Sequence, residues 1–191
     1  MVAFAFPAFA QTVANFSVTR TEDGQGIIIT SYTGTVRAVV IPATIQGLPV
    51  REIGSYAFSF LGRSDKTNTG NMITSVIIPE GVTSIGGEAF AGCDNLTAVT
   101  IPESVTSIGW QAFQGCTKLT AVTIPASVMS IEPGAFSVCT ALTTVTIPDS
   151  VERIDFPERP YFGGNYAFSG CSSLTPASQA ALRRVGYTDR F

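Results

Sequence analysis

Four cysteines, Cys93, Cys116, Cys139 and Cys171, are the side chains of this sequence best equipped for chemistry. Cysteines can pair into disulfides or bind zinc, and both roles require the sulfurs to converge. Their spacing argues against convergence. The intervals are 23, 23 and 32 residues, and each cysteine follows a phenylalanine (Phe90, Phe113, Phe136, Phe168) by three positions. A constant offset inside a fixed period makes them one position seen four times. Such a column runs in a line, whereas a metal site needs ligands around a point. Parallel side-chain vectors also give poor Cβ–S–S–Cβ geometry. The expectation is four free, buried, structural thiols and no metal or other cofactor.

Acid–base chemistry has little to draw on. The chain has no histidine, which removes the side chain whose ordinary pKa lies nearest neutrality. Glu80, Glu103 and Asp149 share one repeat position just after an Ile-Pro pair. Repetition gives them similar surroundings, while a catalytic carboxylate pair needs surroundings that push two pKa values apart. Serine and threonine are abundant, but no base accompanies them. The sequons Asn15-Phe16-Ser17 and Asn95-Leu96-Thr97 read as chance. The expectation is a protein that is not an enzyme.

The elements that position these residues are repeats. Val76-Ile77-Ile78-Pro79, Val99-Thr100-Ile101-Pro102, Val122-Thr123-Ile124-Pro125 and Val145-Thr146-Ile147-Pro148 recur every 23 residues, and a degenerate first copy lies at Val36–Pro42. An Ala-Phe pair recurs at Ala57-Phe58, Ala89-Phe90, Ala112-Phe113, Ala135-Phe136 and Ala167-Phe168, which makes five units. The apolar spacing Leu96, Val99, Ile101 suits a short strand with one buried face, closed by Pro102, which cannot donate to a ladder. One unit cannot bury its own apolar set, so neighbours must stack. Five strands at about 4.8 Å spacing make a sheet roughly 20–25 Å long.

The pattern L-x-x-V-x-I-P-x-x-V-x-x-I-G-x-x-A-F-x-G-C resembles the BspA-type (treponemal-type) leucine-rich repeat over about residues 33–175. That resemblance implies a right-handed solenoid with a parallel sheet on the concave face and short turns or helical pieces on the convex one. It also implies that each thiol of the cysteine column faces a loop carbonyl. Val138 replaces the glycine of Gly92, Gly115 and Gly170, and Glu132 and Asp155 replace that of Gly86 and Gly109. Proteins of this type are similar to exported surface adhesins of host-associated bacteria, which implies a protein partner and a place outside the cytoplasm.

Residues 1–11 form a signal-like apolar segment, with Ala8-Phe9-Ala10 as an A-x-A cleavage pattern. This points to export. If retained, the segment is expected to dock on a sheet face and to drive homo-oligomerisation. Residues 12–35 read as an N-terminal β-hairpin cap turning at Glu22-Asp23-Gly24, residues 36–175 as the repeats, and residues 176–191 as a C-terminal helical cap. Thr175 as N-cap, Pro176 at N1 and Gly186 past the end punctuate that helix, with Arg183 and Arg184 in its last turn. A formal net charge of −3 without a Lys/Arg cluster argues against nucleic acid. No apolar run reaches the roughly 18–20 residues of a membrane span.

Binding surfaces carry more content. Between the buried strand residues, two columns face the concave side: Ala38, Ser75, Ala98, Ala121, Thr144 and Val40, Ile77, Thr100, Thr123, Thr146. None is charged, and the N-terminal half is apolar. Such a face suits a protein partner, or a hydrophobic peptide or lipid-like ligand. It also suits strand propensity alone. Two insertions break the period, near 59–72 and 155–164. The second carries Phe156, Tyr161 and Phe162 with two prolines, residue types that serve either as an interface anchor or as a cover for the last repeat. Trp110 occupies a solvent-side position, equivalent to Gly87 and Pro133, as a lone exposed ring or an anchor.

Overall fold

The computed structural model describes residues 13–59, 72–154, 166–188 and 191. Each repeat winds one turn of a coil. It begins with a three-residue strand whose middle residue points inward and whose outer residues face solvent, as alternation in a strand requires. These strands are β3 (Ala38–Val40), β6 (Ser75–Ile77), β8 (Ala98–Thr100), β10 (Ala121–Thr123) and β12 (Thr144–Thr146). They pair in parallel and in register, β3 with β6, β6 with β8, and β10 with β12. The central Val39, Val76, Val122 and Val145 are buried, while Val99 of β8 is partly so.

The Ile-Pro step then turns the chain through a corner. Behind it runs a second line of strands: β7 (Ser84–Ile85), β9 (Ser107–Ile108), β11 (Ser130–Ile131) and β13 (Arg153–Ile154). These join β1 (Phe16–Arg20), β2 (Ile27–Tyr32), β4 (Thr44–Ile45) and β5 (Leu48–Ile53) in one eight-stranded sheet, ordered β1-β2-β5-β7-β9-β11-β13 with β4 against β5. The sequence points to short turns or helical pieces on this flank. The turns are there, around each Ala-Phe pair, and the second sheet is added to them. The hairpin β1–β2 extends the same sheet, because β2 runs parallel to β5. Its turn is held by Asp23, whose carboxylate accepts from Thr21 Oγ1 and from the Gln25 N–H at 2.9 Å.

The core is a ladder of aromatic rings. Phe58, Phe90, Phe113, Phe136 and Phe168 are fully buried and stack at centroid distances of 4.8, 5.1, 5.1 and 5.2 Å. Tyr32 and Phe16 continue the column at one end. Tyr187 and Phe191 close it at the other, Tyr187 edge-on to Phe168 at 5.7 Å.

Helix α1 (Pro176–Arg184) seals the C-terminal edge of the three-residue strands. Thr175 caps it, accepting from the Ser178 N–H, and Gly186 follows its end at φ +91°. The Ser178 hydroxyl accepts from the Val145 N–H at 3.1 Å and donates to the Thr143 carbonyl at 3.1 Å. The Ser178 hydroxyl, together with the Thr175 N–H that reaches the Thr143 carbonyl at 3.0 Å, thereby stands in for a next strand beside β12. Arg184 adds a bond to the Ile147 carbonyl and an ion pair with Asp149 at 2.8 Å.

Candidate functional site

The four cysteines form one column inside the coil. Cys93, Cys116, Cys139 and Cys171 are buried and free. Each thiol donates to the carbonyl of the preceding turn's phenylalanine: Phe58 at 3.3 Å, Phe90 at 3.4 Å, Phe113 at 3.2 Å and Phe136 at 3.1 Å. Burial pushes the Cys171 thiol up to about 12 and also raises those of Cys93 and Cys116 well above the ordinary range. Among the described residues no group of three or more Cys, Asp or Glu side chains could hold a metal ion.

Glu80, Glu103 and Asp149 are all exposed on the coil corner. Glu103 accepts from the Ala126 N–H of the next turn at 3.2 Å, and Asp149 pairs with Arg184. Glu103 thereby ties one turn to the next, and Asp149 ties its corner to helix α1.

The ten strand-face residues fall into two straight columns. Cα register pairs Ala38 with Ser75 and Ser75 with Ala98, then Val40 with Ile77 and Ile77 with Thr100; Ala121 pairs with Thr144 and Thr123 with Thr146. Nine of the ten are exposed and Ser75 is half-buried. Val40 and Ile77 keep 52% and 39% of their surface open, so the apolar end of the face is a pair of adjacent aliphatic side chains. Just below the strand starts, Arg37, Met72, Thr74 and Asn95 line a shallow hollow of about 300 Å³.

Trp110 is neither lone nor fully exposed. Its indole lies against Gly87, where an added Cβ would sit 2.1 Å from Nε1, and meets Tyr56 edge-on at 6.1 Å. Its backbone N–H donates to the Glu132 carboxylate at 3.0 Å. This gives Glu132 a use in a column that elsewhere holds Gly86 and Gly109. The Tyr56–Trp110 contact escapes sequence reading because it joins two turns separated by a third. Its only signal is that Trp110 breaks a column filled by Ser55, Gly87 and Pro133 on the other turns. The other substituted glycine position, Val138, keeps the left-handed backbone of its column at φ +59°, beside Gly92 at +72° and Gly115 at +70°.

Phe156, Tyr161 and Phe162 lie outside the described residues, as do residues 1–12 and most of the first insertion. Among the described residues no helix is long and apolar enough to cross a membrane.

Comparison with known proteins adds the following. The profile of the BspA type leucine-rich repeat region matches residues 52–175 in six copies, one more than the Ala-Phe pairs count. A leucine-rich repeat protein of T. pallidum is similar in structure, with a TM-score of 0.69, 28% identity and coverage of 95% of this chain and 96% of that one. One from Bacteroides capillosus has a TM-score of 0.59 and 33% identity over 72% of this chain and 96% of that one. A leucine-rich cell surface protein of Faecalibacterium prausnitzii has a TM-score of 0.55 and 30% identity over 84% of this chain, which spans 52% of that protein. No curated protein matches the chain.

Proposed function

The chain belongs to the BspA-type leucine-rich repeat family, and on that premise we propose that it is a non-enzymatic protein-interaction module, exported and presented at the cell surface. The observation that carries this reading is the strand face. Ten outward positions on five aligned strands hold no charged residue, although charged side chains are the usual occupants of a protein surface. A neutral, gently apolar face suits a partner that docks by shape, with Val40 and Ile77 as its anchor end. That aliphatic pair also supports a second reading, in which the face takes a hydrophobic peptide or lipid-like ligand. Export rests on the apolar Met1–Ala10 run with its A-x-A pattern and on the likeness to a cell surface protein. Host-matrix adhesion is the narrower form of the same proposal.

The test places a charge on the face. Ile77→Glu and Thr123→Glu, both at exposed strand positions, are expected to leave the circular dichroism spectrum and melting temperature near the parent's. Each should weaken binding of a partner purified on the parent protein by at least about tenfold, the cost of a desolvated, unpaired carboxylate in an interface. Glu22→Ala on the hairpin cap should change nothing. Equal partner binding by all four proteins would remove the strand face from the account.

A further inference from the structure

Three junctions between neighbouring strands of the strand face carry a parallel ladder: β3–β6, β6–β8 and β10–β12. Among the described residues the junction between β8 and β10 carries none, so the face is two sheets, β3-β6-β8 and β10-β12. The flanking bonds follow the same division. Just past the strands, Ile41 N–H donates to Ile77 O at 3.0 Å, Ile78 to Thr100 at 3.3 Å and Ile124 to Thr146 at 2.8 Å. Ile101 makes no such bond to Thr123. Just before the strands, Thr97 N–H donates to Thr74 O at 2.8 Å and Thr143 to Thr120 at 2.9 Å, with no counterpart from Thr120 to Thr97. The hydroxyls of Thr97 and Thr143 double those two bonds.

The apolar columns open at the same place. Val99 is partly exposed where Val76 and Val122 are buried, and Ile101 keeps 9% of its surface open against 2% for Ile78 and Ile124. Strand propensity is not the cause, because β8 and β10 both read Ala-Val-Thr.

The back of these two turns is closed. Strands β9 and β11 pair in register, Met129 N–H donates to Thr106 O at 2.9 Å, and Glu132 N–H to Ile108 O at 2.9 Å. Phe113 and Phe136 stack at 5.1 Å, and the Cys139 thiol reaches the Phe113 carbonyl at 3.2 Å. A further strand cannot enter a split between turns held at this spacing, since it would need about 4.8 Å on either side. What spans the front is side chains. Lys118 Nζ donates to Asn95 Oδ1 at 2.7 Å beside the strand starts, and the Glu103 carboxylate accepts from the Ala126 N–H past their ends. Both contacts are exposed, and exposed side-chain bonds yield more readily than a backbone ladder.

We propose that the seam between β8 and β10 is a hinge. The coil bends there about its closed back, and the two halves of the strand face change their mutual angle. The hinge does not depend on what the face binds, so it stands or falls apart from the proposed function.

The test spans the seam from both sides. Nitroxide labels go on the front through Ile77→Cys with Thr146→Cys and on the back through Thr83→Cys with Glu152→Cys, all at exposed positions three turns apart. The native thiols are buried and stay unlabelled. Pulsed dipolar spectroscopy of the full chain is expected to give a distance distribution at least about twice as wide for the front pair. In the unlabelled chain, the Ile101 and Thr120 amide protons should exchange at least about 100-fold faster than those of Ile78 and Thr97. Exchange needs no substitution, so it keeps the test sound if a labelled variant fails to fold. Equal widths on front and back overturn the hinge, and so does equal protection of the seam amides, because the hinge requires the split.

Discussion

A buried thiol that donates to a carbonyl one turn away has to stay protonated, and this gives the cysteine column a measurable consequence. Free cysteine ionises near 8.5, while burial holds Cys171 at about 12 and raises Cys93 and Cys116 well above the ordinary range. The folded state therefore keeps protons that the unfolded chain loses above about pH 8.5. Because the unfolded state then binds fewer protons, stability falls as pH rises through that window, by up to about 1.4 kcal/mol per pH unit for each such cysteine. Denaturant melts at pH 8 and pH 10 are expected to show this loss, and Cys93→Ala should lessen its slope. A slope unchanged in the variant would place the titrating group elsewhere. The column was legible in the sequence because its offset from the phenylalanine never varies. The contact between Tyr56 and Trp110 was not, since it depends on a left-handed turn geometry that neither residue type announces.

Elements of this chain are short, and their ends matter more than their lengths. Strands β7, β9, β11 and β13 have two residues each, too few to show an alternation in sequence, so the second sheet emerged only from the coil that stacks them. The three-residue strands were legible because valine, isoleucine and proline repeat at fixed places. Helix α1 and its capping place were legible from its punctuation, whereas the part played by Ser178 was not. Ser178 supplies both a donor and an acceptor to the open edge of β12, beyond which the described chain offers no further three-residue strand. Ser178→Ala is expected to leave the Val145 N–H unpaired, while the Thr143 carbonyl keeps the Thr175 N–H, and to destabilise the fold by about 1–3 kcal/mol, read from chemical denaturation. An unpaired edge is also a template for another chain, so light scattering should detect concentration-dependent association in this variant. A monomer of parental stability would show that the hydroxyl is incidental.

Across the whole molecule, repetition separates what holds the fold from what is left over for recognition. The apolar columns, the phenylalanine ladder and the cysteine column are consumed by contacts between turns, and Glu103 at the corner ties one turn to the next. The side chains of the two outward strand columns project away from that core, and the central claim is that they meet the partner. Site-specific photo-crosslinking tests this most directly. A benzophenone side chain is placed at position 77 or 123 on the strand face, or at position 22 on the hairpin cap, in the protein expressed in its own organism. The account predicts one partner band crosslinked from positions 77 and 123 and absent from position 22. Crosslinks to that partner from position 22 with none from 77 and 123 would contradict it.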